Sequence, residues 1–123
     1  MKKYYVGFLF LFSISIAFSQ NNKISFEKSE HNFGDIEENG GKVSYKFTFT
    51  NNTKNPLKIL SVKPSCGCTT PDWSKDEIKP GKDGYVIAEY NPRGRPGVFR
   101  KSLSVITNDN QRSLIFIKGK VLK

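Results

Sequence analysis

Two cysteines separated by one glycine, Cys66-Gly67-Cys68, are the residues best suited to chemistry here, and they are the chain's only cysteines. Turn formers flank them, Pro64-Ser65 before and Thr69-Thr70-Pro71 after. Thiols at this spacing have three uses. They can close a local disulfide, which needs a sharp bend because an extended chain would carry the two Cα atoms to the ~7 Å limit for bridging. Gly67 supplies backbone freedom for that bend. A bridge enclosing one residue restricts the unfolded chain little, and a strained one is readily reduced. Alternatively, the pair can clip copper(I) or zinc through thiolates. Zinc takes four ligands, and beyond Met1 the chain offers one histidine and no methionine. Third, the pair can exchange electrons, which requires an accessible thiolate of lowered pKa; Lys63 and Lys75 would lend charge. Loop shaping is the first reading, with metal binding and redox exchange as alternatives.

The remaining candidates are weaker. His31, in Ser29-Glu30-His31-Asn32-Phe33-Gly34, is the single histidine and the only base a Ser-His or Cys-His arrangement could use. It reads as a loop or strand-edge residue. Asp35, Glu37 and Glu38 read as a solvated turn. Gly94 and Gly97 flank Arg95-Pro96 in what reads as a hairpin, without the strand–glycine–helix context of a phosphate loop. Arg93, Arg95, Arg100 and Lys101 form the densest basic run, a possible contact surface on that hairpin. This inventory assigns no catalytic residue and predicts a non-enzyme.

These residues must be positioned by strands. Val43 to Thr50 alternates, with Val43, Tyr45, Phe47 and Phe49 on one face and Ser44, Lys46, Thr48 and Thr50 on the other, the pattern of a half-buried strand. Ile24-Ser25-Phe26, Leu57 to Val62, Tyr85 to Tyr90, Phe99 to Ile106 and Leu114 to Val121 read likewise. Turn clusters separate them at Asn39-Gly40-Gly41, Asn51-Asn52-Thr53, Pro80-Gly81, Asn91-Pro92 and Asn108-Asp109-Asn110. Short strands at this spacing predict an all-β fold, an antiparallel β-sandwich of about seven strands. The cysteines fall in the loop after the Leu57–Val62 strand, and Trp73 is expected to pack over the core edge near them.

The N-terminus reads as a secretory signal peptide: basic Met1-Lys2-Lys3, an apolar run from Tyr4 to Phe18, and small residues Ala17 and Ser19 before Gln20. The run is shorter than the roughly 20 residues needed to span a bilayer. The expected organisation is a signal peptide over residues 1–19 and one domain over residues 20–123, exported to the periplasm or secreted after cleavage near Ser19/Gln20, with no membrane span in the mature chain. Loss of Lys2 and Lys3 lowers the formal charge from +9 to +7, which favours solubility and weak adhesion to acidic surfaces. No aromatic-plus-basic motif accompanies that charge, so a nucleic-acid partner is not expected.

Several blocks together carry a resemblance: His31 to Glu38, Phe47-Thr48-Phe49-Thr50-Asn51, Pro56-Leu57-Lys58-Ile59, Ser65 to Pro71, Ile78-Lys79-Pro80-Gly81, Tyr90 to Arg95, and Gly97 to Ser102 with Asn108. In order and spacing the chain resembles the bacterial domain of unknown function family fifteen-seventy-three, over about Ile24 to Val121. The resemblance implies an exported immunoglobulin-like fold and makes Cys-Gly-Cys part of the family pattern. It implies no activity. The reading is a non-catalytic binding or structural module of the cell envelope, without cofactor, whose partner is another envelope protein or an anionic envelope polymer. The alternative is an envelope thiol protein that uses Cys66 and Cys68 for copper(I) or zinc binding or for disulfide exchange.

Overall fold

A computed structural model describes residues 24–123; the signal-peptide reading falls on residues outside these. The described chain is all-β, with strands β1 (Ser25–Phe26), β2 (Glu30–Glu37), β3 (Val43–Thr50), β4 (Ile59–Pro64), β5 (Thr69–Trp73), β6 (Asp83–Tyr90), β7 (Gly97–Thr107) and β8 (Arg112–Leu122). They form two four-stranded sheets packed as an immunoglobulin-like sandwich. Sheet 1 has the order β1-β3-β6-β5 and sheet 2 the order β2-β8-β7-β4.

Alternation builds the core. In β3, Phe47 and Phe49 are fully buried while Ser44 and Lys46 face solvent. In β8, Ile115, Ile117 and Val121 turn inward between exposed or half-exposed neighbours. Sheet 1 contributes rings, with Phe26 edge-on to Phe47 and Phe49. Sheet 2 contributes Phe99 and mostly aliphatic side chains: Ile59, Val62, Leu103, Val105, Ile115, Ile117 and Val121. Gly84 stands opposite Phe49 in the β3–β6 ladder, and a Cβ there would collide with the Phe49 ring and Ile78. Its missing side chain is the space the ring occupies. Buried Asn51 has no unmet polar group: its amide donates to the Asn55 and Ile78 carbonyls, and its oxygen accepts from the Thr53 amide and hydroxyl.

The sandwich expected with about seven strands is present with eight, and one pairing, β2 with β8, is parallel. Three expectations need correction. Asp35 and Glu37 lie in strand β2 and not in a turn, while His31 takes the strand-edge place among its two readings. A bulge between Asn32 and Asp35, with Gly34 at φ +73°, breaks its alternation. Arg93 to Lys101 is no hairpin, because β6 lies in sheet 1 and β7 in sheet 2; the turn crosses between layers. Trp73 packs against the core edge but ends β5, at the far end of that strand from the cysteines.

Candidate functional site

At one end of the sandwich the chain crosses twice between sheets, from β4 to β5 and from β6 to β7. The cysteines lie in the first crossing. Beyond Pro64 the sheet 2 ladder runs one more rung: the Ser65 amide donates to the Ser102 carbonyl at 2.9 Å, and the Ser102 amide donates to Ser65 Oγ at 3.1 Å. The chain then turns, closed by the Thr69 amide donating to the Cys66 carbonyl at 3.1 Å. Cys66 and Cys68 are disulfide-bonded, with Cα atoms 5.1 Å apart. The Cys68 amide points at Cys66 Sγ from 3.1 Å. Cys68 is 4% exposed and Cys66 half-buried. Gly67 is not required by the bend in the way the sequence led one to expect: its φ is not left-handed, and a Cβ there would meet open space.

The second crossing is fastened to the first. The Asn91 amide donates to the Cys68 carbonyl at 3.0 Å, and the Arg95 amide to the Pro92 carbonyl at 3.0 Å. Gly94, at φ +73°, donates its amide to Glu38 Oε2 at 3.0 Å. The Arg95 guanidinium folds back to donate to the Asn91 and Arg93 carbonyls, at 3.3 and 3.1 Å. Beneath the crossings Tyr90 and Phe99 stack across the two sheets, centroids 4.0 Å apart. Burial pushes the Tyr90 hydroxyl's pKa up.

The four basic residues do not share one surface. Arg93 and Arg95 sit on the crossing turn. Arg100 lies on the outer face of sheet 2, bonded to Glu30 at 3.2 Å and stacked over the Phe116 ring at 3.9 Å. Lys101 lies on the inner side of β7, between buried Phe99 and Leu103 and paired with Ile117. On β7, Lys101 is the next residue beyond the Ser65–Ser102 rung, where the cysteine turn leaves the ladder. Lys63 lies on the outer side of β4, and Lys75 is engaged by Asp72 at 2.9 Å. Neither stands where Lys101 does. The alternation of Phe99, Leu103 and Val105 already assigned Lys101 to the inner face, a signal the sequence contained.

His31 occupies the opposite edge of that rung, paired with Ile117 from the β2 side. Three strand spacings, about 14 Å, separate β2 from β4, the strand that leads into the cysteine turn, too far for His31 to act as a base there. It is a strand-edge residue whose ring stacks on Tyr45 at 3.8 Å and meets Phe33 edge-on. Burial, then the Lys28 ammonium, holds its pKa below the ordinary value. Among the described residues, no group of three or more His, Cys, Asp or Glu side chains is placed to hold a metal. While the two sulfurs are bonded to each other they present no thiolate to copper(I) or zinc.

A second feature emerges on the outer face of sheet 2. Lys63, Arg100, Arg112, Lys118 and Lys120 stand there with exposed Leu60 (56%), Val98 (83%) and Leu114 (44%). The acids of that face, Glu30, Asp35 and Glu37, are all on edge strand β2. Glu30 bridges Lys118 at 2.8 Å and Arg100, and these bonds hold its carboxyl below the usual range. A depression of about 310 Å³ opens beside the β2 bulge, lined by Asn32, Asp35, Val98, Arg100, Lys118 and Lys120 among others.

A family model described as "Protein of unknown function (DUF1573)" matches residues 24–121. No curated protein matches in sequence. Among solved structures, a protein of unknown function from Porphyromonas gingivalis W83 is similar at 20% identity and TM-score 0.66, over 79% of this chain and 46% of that one. The VesB protease of Vibrio cholerae is similar at 19% identity and TM-score 0.65, over 80% of this chain and 32% of that one. The ASH / PapD-like domain 7 of human CEP192 is similar at 11% identity and TM-score 0.68, over 94% of this chain and 97% of that one. The chain thus spans under half the length of the first two, and at these identities the likeness is one of fold.

Proposed function

We propose, from the premise that the chain belongs to the DUF1573 family, that it is an exported, non-catalytic interaction module of the cell envelope that docks an acidic protein partner on the outer face of sheet 2. The observation that carries this reading is the grouping of Leu60, Val98 and Leu114 on one face with Arg100, Arg112, Lys118 and Lys120. Isolated exposed hydrophobics are ordinary; apolar side chains rimmed by charge mark contact surfaces. There the cations steer and orient an acidic partner while the apolar groups supply buried area. The PapD-like neighbour supports a fold compatible with protein binding, and fold alone assigns no function.

Two reversal variants test the reading. Arg112→Glu/Lys118→Glu/Lys120→Glu alters sheet 2, and Asp72→Lys/Asp83→Lys/Glu89→Lys alters the outer face of sheet 1. Envelope proteins retained by the immobilised mature chain are measured for each. The sheet 2 variant is expected to lose retention at least about tenfold, roughly 1.4 kcal/mol, while the sheet 1 variant keeps it. The opposite pattern, or equal retention by both, overturns the proposal. Export is checked separately by N-terminal sequencing of the secreted chain, expected to begin at Gln20.

A further inference from the structure

We infer that Cys66 and Cys68 form a thiol–disulfide exchange site, with Cys66 as the reacting sulfur, that oxidises a dithiol of a partner protein. This goes beyond the docking role and does not depend on it. The first observation is that the bridge has little structural work to do. It encloses a single residue, so it removes almost no loop-closure entropy from the unfolded chain. The sandwich end is already fastened by the Ser65–Ser102 rung and by the Asn91 amide on the Cys68 carbonyl.

The second observation is asymmetry. Cys66 is half-buried and Cys68 buried, so an incoming thiolate meets Cys66 first. The third is that Cys66 is prepared to carry negative charge. The Cys68 amide points at its sulfur from 3.1 Å, and Lys101, on the inner side of β7, follows directly on the Ser65–Ser102 rung from which the cysteine turn departs. A hydrogen bond and a nearby cation both favour the thiolate over the thiol. Lys101 has no ion-pair partner among the described residues and is the positioning residue of the site.

The exchange balances as follows. A partner thiol gives its proton to solvent, and its thiolate attacks Cys66 Sγ. The Cys66–Cys68 bond breaks, and Cys68 leaves as a thiolate that takes up a proton. The partner's second thiol, deprotonated in turn, attacks the partner sulfur of the mixed disulfide. That forms the partner's own disulfide and releases Cys66 as a thiolate under the Cys68 amide. The partner loses two electrons and two protons, and the cysteine pair gains the electrons.

The test uses the mature chain and a synthetic peptide bearing two thiols. The wild type is expected to oxidise the peptide stoichiometrically within minutes and to show two new alkylatable thiols by mass spectrometry. In Cys68→Ser, iodoacetamide should modify Cys66 several-fold faster at about pH 7 than it does in Cys68→Ser/Lys101→Met, and the difference should vanish near pH 10, where any thiol is ionised. Should Cys68→Ser not fold, the wild-type pair is equilibrated with reduced and oxidised glutathione and the reduced fraction read by alkylation. A pair that stays bridged against both the dithiol peptide and excess reduced glutathione overturns the inference. So does a Cys66 that alkylates at the same rate with and without Lys101.

Discussion

The two sheets share one core yet are built of different materials on both of their sides. Inside, sheet 1 offers mainly rings, Tyr45, Phe47, Phe49 and Tyr90 beside Val86 and Ala88, and sheet 2 mainly aliphatics, Leu103, Val105, Ile115 and Ile117 beside Phe99. Outside, sheet 1 presents Ser44, Lys46, Thr48, Thr70, Asp72, Asp83 and Glu89, with Asp72 and Glu89 paired to Lys75 and Lys42, whereas sheet 2 presents a row of cations among exposed aliphatics. Strand alternation couples neither side to the other, since successive residues point to opposite faces. The core therefore constrains one half of each strand and leaves the other half open to a separate use. Sheet 2 spends that half on exposed Leu60, Val98 and Leu114 set among cations.

If the aromatic layer of sheet 1 is the less forgiving half of the core, Phe47→Ala should cost about 3–5 kcal/mol in denaturant unfolding while Ile117→Val on sheet 2 costs about 0.5–1.5. Similar losses at the two sites would erase the distinction. A smaller effect is expected at Gly84, where a Cβ meets the Phe49 ring: Gly84→Ala should cost about 1–3 kcal/mol through overpacking, and Phe49→Leu in the same background should recover part of it.

The seam between the sheets gives a pH-dependent effect, smaller again. His31 of sheet 2 stacks on Tyr45 of sheet 1 with its pKa depressed, first by burial. The unfolded chain therefore takes up the proton first. The stability contribution is complete above the ordinary histidine value near 6.5 and is lost as the pH falls through the folded value. The melting temperature should drop as the pH falls below the ordinary histidine value, and His31→Gln should flatten that drop. Two parallel curves would remove His31 as the cause. The least effect belongs to Glu30→Gln, which removes both exposed ion pairs on sheet 2. Exposed pairs contribute little, so the melting temperature should not move measurably, while retention of an acidic partner should rise as Arg100 and Lys118 are released. A clear fall in melting temperature would show these pairs to be structural.

The sandwich was readable wherever alternation is unbroken, as in β3 and β8. It was not readable in β2, because the bulge at Gly34 shifts the phase midway through Glu30-His31-Asn32-Phe33-Gly34-Asp35-Ile36-Glu37. Strand β5 was hidden by Pro71, which an edge strand tolerates and a central strand does not. A turn rich in glycine and proline looks the same whether it reverses a strand within a sheet or carries it between layers, so Arg93 to Lys101 passed for a hairpin. The cysteine loop was located correctly from its flanking turn residues. Its companion Lys101 was grouped by sequence proximity with Arg93, Arg95 and Arg100, although its place in the strand period sets it apart from them. The basic face of sheet 2 was invisible because its members come from distant strands that only the ladder order brings side by side.

The parallel pairing of β2 with β8 joins the first long strand of the described chain to the last. Tension applied to residues 24 and 123 drags these neighbours in opposite directions along their common axis. Their hydrogen bonds are then loaded together as a sheared patch, not opened one after another as in the antiparallel β7–β8 hairpin. The sandwich is thereby built to resist being drawn out by its ends, a mechanical clamp whose rupture is governed by the unfolding rate and not by equilibrium stability.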